Sequence, residues 1–120
     1  MGKKLLVEEM DGITTLRLTR QMTLEEFLGV LDDTLELGLT NRRLWDANRH
    51  FDFSAEEIRA IANHGKKIWP GAARVAFLAE DDLTFGLLRM FEAFREQENY
   101  QTKAFRDEEE AREWLLAWEE

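Results

Sequence analysis

The chain has 120 residues, no cysteine and a formal net charge of −9 at pH 7. This length fits one domain, the lack of cysteine excludes disulfides and thiolate metal sites, and the negative charge disfavours binding to nucleic acid or to an anionic membrane surface. No apolar run reaches the roughly 20 residues that a membrane-spanning helix needs, and the amino-terminal sequence does not resemble a signal peptide. We therefore expect a single domain over residues 1–120, with no membrane span, in the cytoplasm.

The first predicted elements are two strands joined by a tight turn. Residues 3–10 and 13–20 have strand-like patterns, and the second run alternates and is rich in β-branched residues. Asp11 and Gly12 lie between them, and Asp-Gly suits a type I′ turn because both central residues of that turn have positive φ. An antiparallel hairpin is predicted.

A helical pattern follows the hairpin. Thr23 and Glu26 form a capping box at its start, and Gly38 is the predicted C-cap. The inner face of this helix is predicted to comprise Leu24, Phe27, Leu28, Leu31 and Leu35. Residues 42–47 then form a short third strand.

The second helix and the fourth strand are equally well marked. Ser54 and Glu57 form another capping box, and Pro70 stops the helix. The inner face is predicted to comprise Ile58, Ile61, Ala62, Gly65, Ile68 and Trp69. Residues 72–79 are almost continuously apolar, which is typical of a parallel strand that is buried on both faces.

A third helix, a fifth strand and a last helix complete the pattern. Asp81 or Asp82 caps a helix over residues 83–98, residues 100–106 form the strand, and Asp107 opens the last helix. The inner face of the third helix is predicted to comprise Leu83, Gly86, Leu87, Met90, Phe91 and Phe94, and that of the last helix Ala111, Trp114, Leu115 and Trp118. The order ββαβαβαβα predicts an α/β fold with a mostly parallel five-stranded sheet, an amino-terminal antiparallel hairpin and four helices.

In its order of elements and in three segments, residues 43–46, 74–92 and 105–115, the chain resembles the SpoIIAA-like branch of the STAS superfamily. The third segment is similar to the usual last strand of that family, which runs into a short helix ending in Trp-Leu. The resemblance covers essentially the whole chain and implies a SpoIIAA-like fold. Many members of this branch are bacterial proteins of unknown role, so the resemblance implies no specific activity.

STAS proteins of the anti-sigma antagonist type carry a phosphorylatable serine where the third strand gives way to the second helix. Asp46 matches the aspartate of that motif, but no serine follows it, and Ser54 is the only hydroxyl near the helix start. A phosphate on Ser54 would meet favourable helix amides but would also crowd nearby acidic side chains. Ser54 is therefore a phosphorylation candidate whose favoured role is that of an N-cap.

Sites in parallel sheets lie at the carboxyl ends of the strands. Here His50 follows the third strand and could act as a general base oriented by Asp46 or Asp52. Acidic residues after the fourth strand could also bind Mg²⁺, but loop and capping roles explain them more simply. We predict no catalytic residue, no metal and no cofactor, and we retain Asp46 and His50 as candidates for contacting a partner or ligand.

Three apolar residues do not fit the predicted inner faces of their helices. They are Phe85 and Leu88 on the third helix and Leu116 on the last helix. Exposed apolar groups of this kind mark contact surfaces, unless a neighbouring element covers them. We therefore predict that these residues contact a partner or ligand.

The favoured functional hypothesis is a non-enzymatic regulatory or protein-interaction module of STAS-like type, which binds a protein partner or a second copy of itself as a homodimer. The alternative is a binder of a small apolar ligand, such as a lipid or fatty acid, because four tryptophans could line an apolar pocket. Large aromatic side chains also serve simply as core. An enzyme that uses His50 is the weakest hypothesis.

Overall fold

The computed structural model describes residues 4–120. Its strands are β1 (Leu5–Met10), β2 (Ile13–Leu18), β3 (Arg42–Asp46), β4 (Ala73–Leu78) and β5 (Tyr100–Phe105). Its helices are α1 (Leu24–Thr34), α2 (Ala55–Ile68), α3 (Asp82–Arg95) and α4 (Glu108–Leu116). The predicted order ββαβαβαβα is confirmed. None of the helices in residues 4–120 is long and apolar enough to cross a membrane.

The hairpin forms at the predicted turn. Asp11 has a φ of 57° and Gly12 a φ of 80°, which are the positive values that a type I′ turn requires at both central positions. The turn joins β1 and β2 in an antiparallel pair in which Met10 faces Ile13. Lys3, the first residue of the predicted strand, lies outside the described residues.

The five strands lie in the sheet in the same order as in the chain, β1-β2-β3-β4-β5. Every pair after the hairpin is parallel, as the alternation of strands and helices predicts. Because successive residues of a strand point to opposite faces, the register brings Arg43, Val75 and Thr102 to one face and Leu44, Ala76 and Lys103 to the other.

Helices cover the two faces unequally. On one, which we call the three-helix face, α1, α2 and α3 pack on the sheet around residues such as Leu18, Val75 and Phe77. On the other, the α4 face, α4 packs Ala111 and Leu115 against the sheet. The sheet residues beneath α4 are Ile13, Leu44, Ala76, Leu78 and Phe105.

The predicted capping boxes at Thr23 and Ser54 are both present in full. Asp81 is the N-cap of α3 and accepts a hydrogen bond from the backbone N–H of Thr84. Asp107 caps α4 by accepting one from the N–H of Glu110. Each cap satisfies a backbone donor in the first turn that has no partner within the helix.

The prediction for the end of α1 was wrong. The helix ends at Thr34, four residues before Gly38. The N–H groups of residues 35–37 then bond to carbonyls three residues earlier, which is a tighter turn. This turn leaves Leu35 48% exposed instead of on the inner face. Gly38 follows with a φ of 66°, a conformation that glycine adopts without strain.

The predicted inner face of α3 was correct only in part. Leu87, Met90, Phe91 and Phe94 are partly buried and pack against the core as predicted. The residues that α3 buries most deeply are Thr84, Leu88 and Arg95, whereas Leu83 is 65% exposed. The Asp81 carboxylate binds both the backbone N–H and the hydroxyl of Thr84, which holds Thr84 inward and turns Leu83 outward. The helix ends at Arg95 rather than near residue 98.

Candidate functional site

The polar residues at the carboxyl ends of the strands are engaged in structural contacts. Asp46 accepts a hydrogen bond of 2.7 Å from Nη1 of Arg17 and one of 3.0 Å from the backbone N–H of Asn48. Asn48 and Arg49 follow with φ values of 46° and 64°. These contacts fix the loop between β3 and α2.

His50 is half-buried in this loop, and its backbone N–H donates to the carbonyl of Ala47. In residues 4–120, neither Asp46 nor Asp52 hydrogen-bonds its imidazole. Asp81 acts as a cap, and the exposed Asp82 pairs with Arg106 at 2.7 Å. The described chain brings together no group of three or more His, Asp or Glu side chains that could hold a metal ion.

Ser54 occupies the N-cap position of α2. Its hydroxyl accepts from the N–H of Glu57 at 3.2 Å, while the Glu57 carboxylate accepts from the N–H of Ser54 at 2.9 Å. The residue is exposed. A phosphate on Ser54 stays a prediction, and it would have to form next to the Glu57 carboxylate.

The three apolar residues predicted to contact a partner or ligand lie in different environments. Leu88 is only 3% exposed, so the prediction that it lies outside the core was wrong. Phe85 is half-buried, and the Arg106 guanidinium lies over the Phe85 ring, 4.3 Å from the ring centroid. Leu116 is 51% exposed on α4. These residues do not form one surface, because Leu88 faces the interior beneath the three-helix face and α4 lies on the opposite face of the sheet.

The interior of the three-helix face contains a cavity of about 60 Å³ between the helices and the sheet. Aromatic rings form much of its wall, and Leu88 lies among them. Phe77 and Phe91 meet edge to face with their centroids 5.0 Å apart. Trp45 from β3 and Trp69 from the end of α2 also line it. A cavity with aromatic walls is therefore present, although only two of the four tryptophans line it.

Two buried arginines, Arg43 and Arg95, line the same cavity, and we call them the arginine pair. Arg43 is 3% exposed and Arg95 is 1% exposed. The Arg43 guanidinium lies 4.1 Å from the ring centroid of Trp69, and that of Arg95 lies 3.4 Å from the ring centroid of Tyr100. These stacking contacts give each cation an aromatic face.

The surroundings of the pair disfavour its positive charge. Burial lowers the pKa of both Arg43 and Arg95, and interaction with Tyr100 offsets this only in part. The charge of Arg43 lowers the pKa of Arg95 further. No carboxylate of residues 4–120 forms an ion pair with either guanidinium, although other arginines of the chain have such partners.

Sequence reasoning missed the arginine pair as a functional feature, although the sequence carries a signal for it. Arg43 alternates with Trp45 in β3, so both point to the same face of the sheet. Arg95 follows Leu88 by seven positions and Phe91 by four, which places it on the buried face of α3. A charged residue whose spacing places it on the same face as buried apolar residues is uncommon. Such a residue indicates a candidate functional position.

No family model matches the chain, and no curated protein is significantly similar to it.

Proposed function

We propose that this protein is a non-enzymatic ligand-binding module of STAS-like type, which holds a small and mainly apolar molecule in the cavity of the three-helix face. The observation that carries the proposal is the aromatic-lined cavity itself. Binding sites for small molecules are concave and mostly apolar, with a few polar groups that orient the ligand. The sequential strand order agrees with what the resemblance to the SpoIIAA-like branch implies.

The cavity limits the size of the ligand. Its volume of about 60 Å³ is less than half that of an apolar cavity of about 150 Å³ that binds benzene. A short hydrocarbon group therefore fits, whereas an extended fatty-acid chain would require the helices to move apart. Leu88 would contact the ligand as part of the wall.

The second candidate function is a protein-interaction module that acts through the exposed strand β1. Leu6, Val7 and Met10 of this strand are 52%, 42% and 57% exposed. Val7 also borders a groove of about 440 Å³ whose apolar wall includes Val30 and Leu37. An edge strand with free backbone groups and apolar side chains is a template for pairing with another chain. A second copy of β1 would give a symmetric homodimer.

Native mass spectrometry of protein purified without detergent tests both candidates in one measurement. The ligand-binding function predicts a non-covalent adduct of small mass, or its appearance when a neutral short-chain alcohol such as isobutanol is added. Leu88→Phe fills part of the cavity and should remove the adduct. Leu116→Phe adds the same atoms on the exposed surface of α4 and should leave the adduct in place.

The outcomes separate the two candidates. A monomer that neither carries an adduct nor binds isobutanol would contradict the ligand-binding function. A dimer that Val7→Lys dissociates and Leu116→Lys does not would favour the interaction module at β1. A dimer that dissociates only with Leu116→Lys would move the interface to α4.

A further inference from the structure

The arginine pair is unusual because it brings two positive charges into the core of an acidic protein. Arg43 comes from β3, and Arg95 from the end of α3. Arg43 stacks on Trp69 and Arg95 stacks on Tyr100, and both aromatic residues also line the cavity. The pair therefore forms a polar region in a wall that is otherwise mainly apolar.

Arg95 has an evident structural role. Its Nη2 donates to the carbonyls of Gly65 and Trp69 at 3.2 and 2.8 Å, and its Nη1 donates to Oε1 of Gln97 at 2.9 Å. The carbonyls of Gly65 and Trp69 lie at the end of α2, where a cation is favourable. Gly65 leaves room for this arrangement, since a Cβ there would lie 3.1 Å from Nε of Arg95. These contacts hold Arg95 in place.

Arg43 has fewer hydrogen-bond partners than Arg95. Its Nε donates to the carbonyl of Thr40 at 2.8 Å, and the hydroxyl of Tyr100 is a further interaction partner. A guanidinium has five N–H donors, while a phenol oxygen accepts at most two hydrogen bonds. At least two N–H donors of Arg43 therefore have no acceptor within residues 4–120.

A buried charge normally has an ionic partner, because the loss of hydration is otherwise uncompensated. The described chain supplies no carboxylate to the pair, and the two guanidinium groups repel each other. Aromatic stacking and helix carbonyls offset only part of this cost, since burial remains the largest influence on the pKa of each group. An anion in the cavity would compensate both charges at once.

We propose that the arginine pair binds the carboxylate of a short-chain carboxylic acid, whose hydrocarbon part fills the cavity. The inference rests on the proposed ligand-binding function and names the chemical class of the ligand. Arg43 supplies free donors in the planar arrangement that suits a carboxylate, and Arg95 adds a fixed positive charge. Because the cavity volume of about 60 Å³ has to hold the carboxylate as well as the hydrocarbon part, it limits the acid to a few carbon atoms, and isobutyrate is near the upper limit of size.

The test is a titration of the ¹⁵N-labelled protein with three probes, followed by the NMR signals of arginine Nε–H and tryptophan indole N–H groups. The probes are isobutyrate, isobutyramide and inorganic phosphate at constant ionic strength. Isobutyrate should shift the signals of Arg43 and Trp69 in a saturable way, with an affinity at least tenfold higher than that of the neutral amide. Phosphate should bind at least tenfold more weakly than isobutyrate because it leaves the apolar wall unfilled.

Variants show whether Arg43 causes the preference for the acid. Arg43→Met should reduce the ratio of the two affinities to near one while isobutyramide still binds. Arg89→Met is the matched control, because it removes an equal charge from the exposed side of α3 and should leave the ratio unchanged. The comparison of probes on the wild-type protein decides the matter even if Arg43→Met does not fold.

Each contrary result has a definite meaning. Equal affinity for isobutyrate and isobutyramide would overturn the carboxylate inference and leave the ligand-binding function standing. Phosphate binding as tightly as isobutyrate would overturn the requirement for a hydrocarbon part. A protein that binds none of the three probes would overturn the inference together with the proposed function.

Discussion

Two arginines on the α4 face and the arginine pair on the three-helix face are stabilised in different ways. On the α4 face, Arg17 bonds to Asp46 at 2.7 Å and to Glu108 at 3.1 Å, and Arg112 also pairs with Glu108 at 3.0 Å. On the three-helix face, Arg43 and Arg95 are more deeply buried and have aromatic rings, carbonyls and hydroxyl or amide oxygens as partners. Carboxylates thus compensate the charges of Arg17 and Arg112, whereas the arginine pair lies beside a cavity without a carboxylate partner in residues 4–120. Missing carboxylates alone do not mark a site, since Arg74 on the α4 face bonds to the Trp114 carbonyl and to Oε1 of Gln101 instead.

The largest effect is expected from breaking the contact of α4 with its face of the sheet. Leu115 is 0% exposed and packs in the core beneath α4. Leu115→Ala should lower the free energy of unfolding by about 2–5 kcal/mol, through lost burial and a new cavity. Leu116→Ala, one position along the same helix, should change it by less than about 0.5 kcal/mol because Leu116 is exposed.

Urea denaturation followed by circular dichroism measures both values. A small effect of Leu115→Ala would mean that α4 contributes little to the stability of its face. The conclusion that α4 is packed firmly against its face of the sheet would then be wrong.

An intermediate effect is expected from replacing one arginine on each face by methionine. Arg17→Met leaves Asp46 and Glu108 without their shared cation and should cost about 1–2 kcal/mol. Arg43→Met removes a buried charge that has no ionic partner and replaces it with an apolar chain. Such replacements are often neutral or stabilising, so Arg43→Met should be at least as stable as the wild type.

Urea unfolding of both variants at pH 7, without added carboxylic acid, checks this contrast. If Arg43→Met proved the less stable of the two, the aromatic and carbonyl contacts of Arg43 would compensate its charge fully. Arg43 would then be as well compensated as Arg17, and the proposed contrast between these two arginines would be wrong.

The smallest effect concerns pH. The hydrogen bond from Arg17 holds the pKa of Glu108 below its ordinary value of 4.5, and Arg112 acts in the same direction. Because the folded state favours the ionised carboxylate, the ionised Glu108 stabilises the fold fully at pH values above the ordinary pKa. This stabilisation is lost as the pH falls through the lowered pKa of the folded state. The difference in Tm between the wild type and Glu108→Gln should therefore shrink from pH 6 to pH 3.

The exposed Glu109, which neighbours Glu108 in α4, provides the control. Glu109→Gln should follow the wild type over the same range of pH. A Tm difference for Glu108→Gln that stays constant down to pH 3 would mean that the charge of Glu108 does not stabilise the α4 face.

Local signals in the sequence were sufficient for the order of elements, while they predicted the buried face of α3 only in part. Asp11-Gly12, Thr23 and Ser54 act through hydrogen bonds or φ values within a few residues, so their effect is visible in the sequence. The inner face of α3 depends on Thr84 being held by Asp81 and on Arg95 reaching the end of α2. Counting apolar residues alone therefore chose a face rotated toward Leu83.

The candidate site was harder to predict because its parts are distant in the chain. Trp45 and the other aromatic residues suggested a pocket, and a cavity exists, but sequence could not assign Leu88 to its wall. The arginine pair depends on contacts of Arg95 with Gly65 and Trp69, which are 30 and 26 positions away. Periodicity places Arg43 and Arg95 on inner faces, yet only tertiary packing shows that acidic groups are missing around them.

The spatial order of the strands also bears on how the chain folds. Because β1 to β5 lie side by side in the order in which they occur in the chain, each new strand can join the edge of a sheet that already exists. The β1–β2 hairpin closes a short loop, whereas the parallel pairs join residues 27 to 32 positions apart, and pairings of that separation form more slowly. On a ribosome, the three-helix face can assemble before α4 is made, since synthesis proceeds from the amino terminus. The apolar residues beneath α4, among them Leu44 and Leu78, stay open to solvent until that helix emerges, so a nascent chain interrupted before residue 108 would present a surface for chaperones.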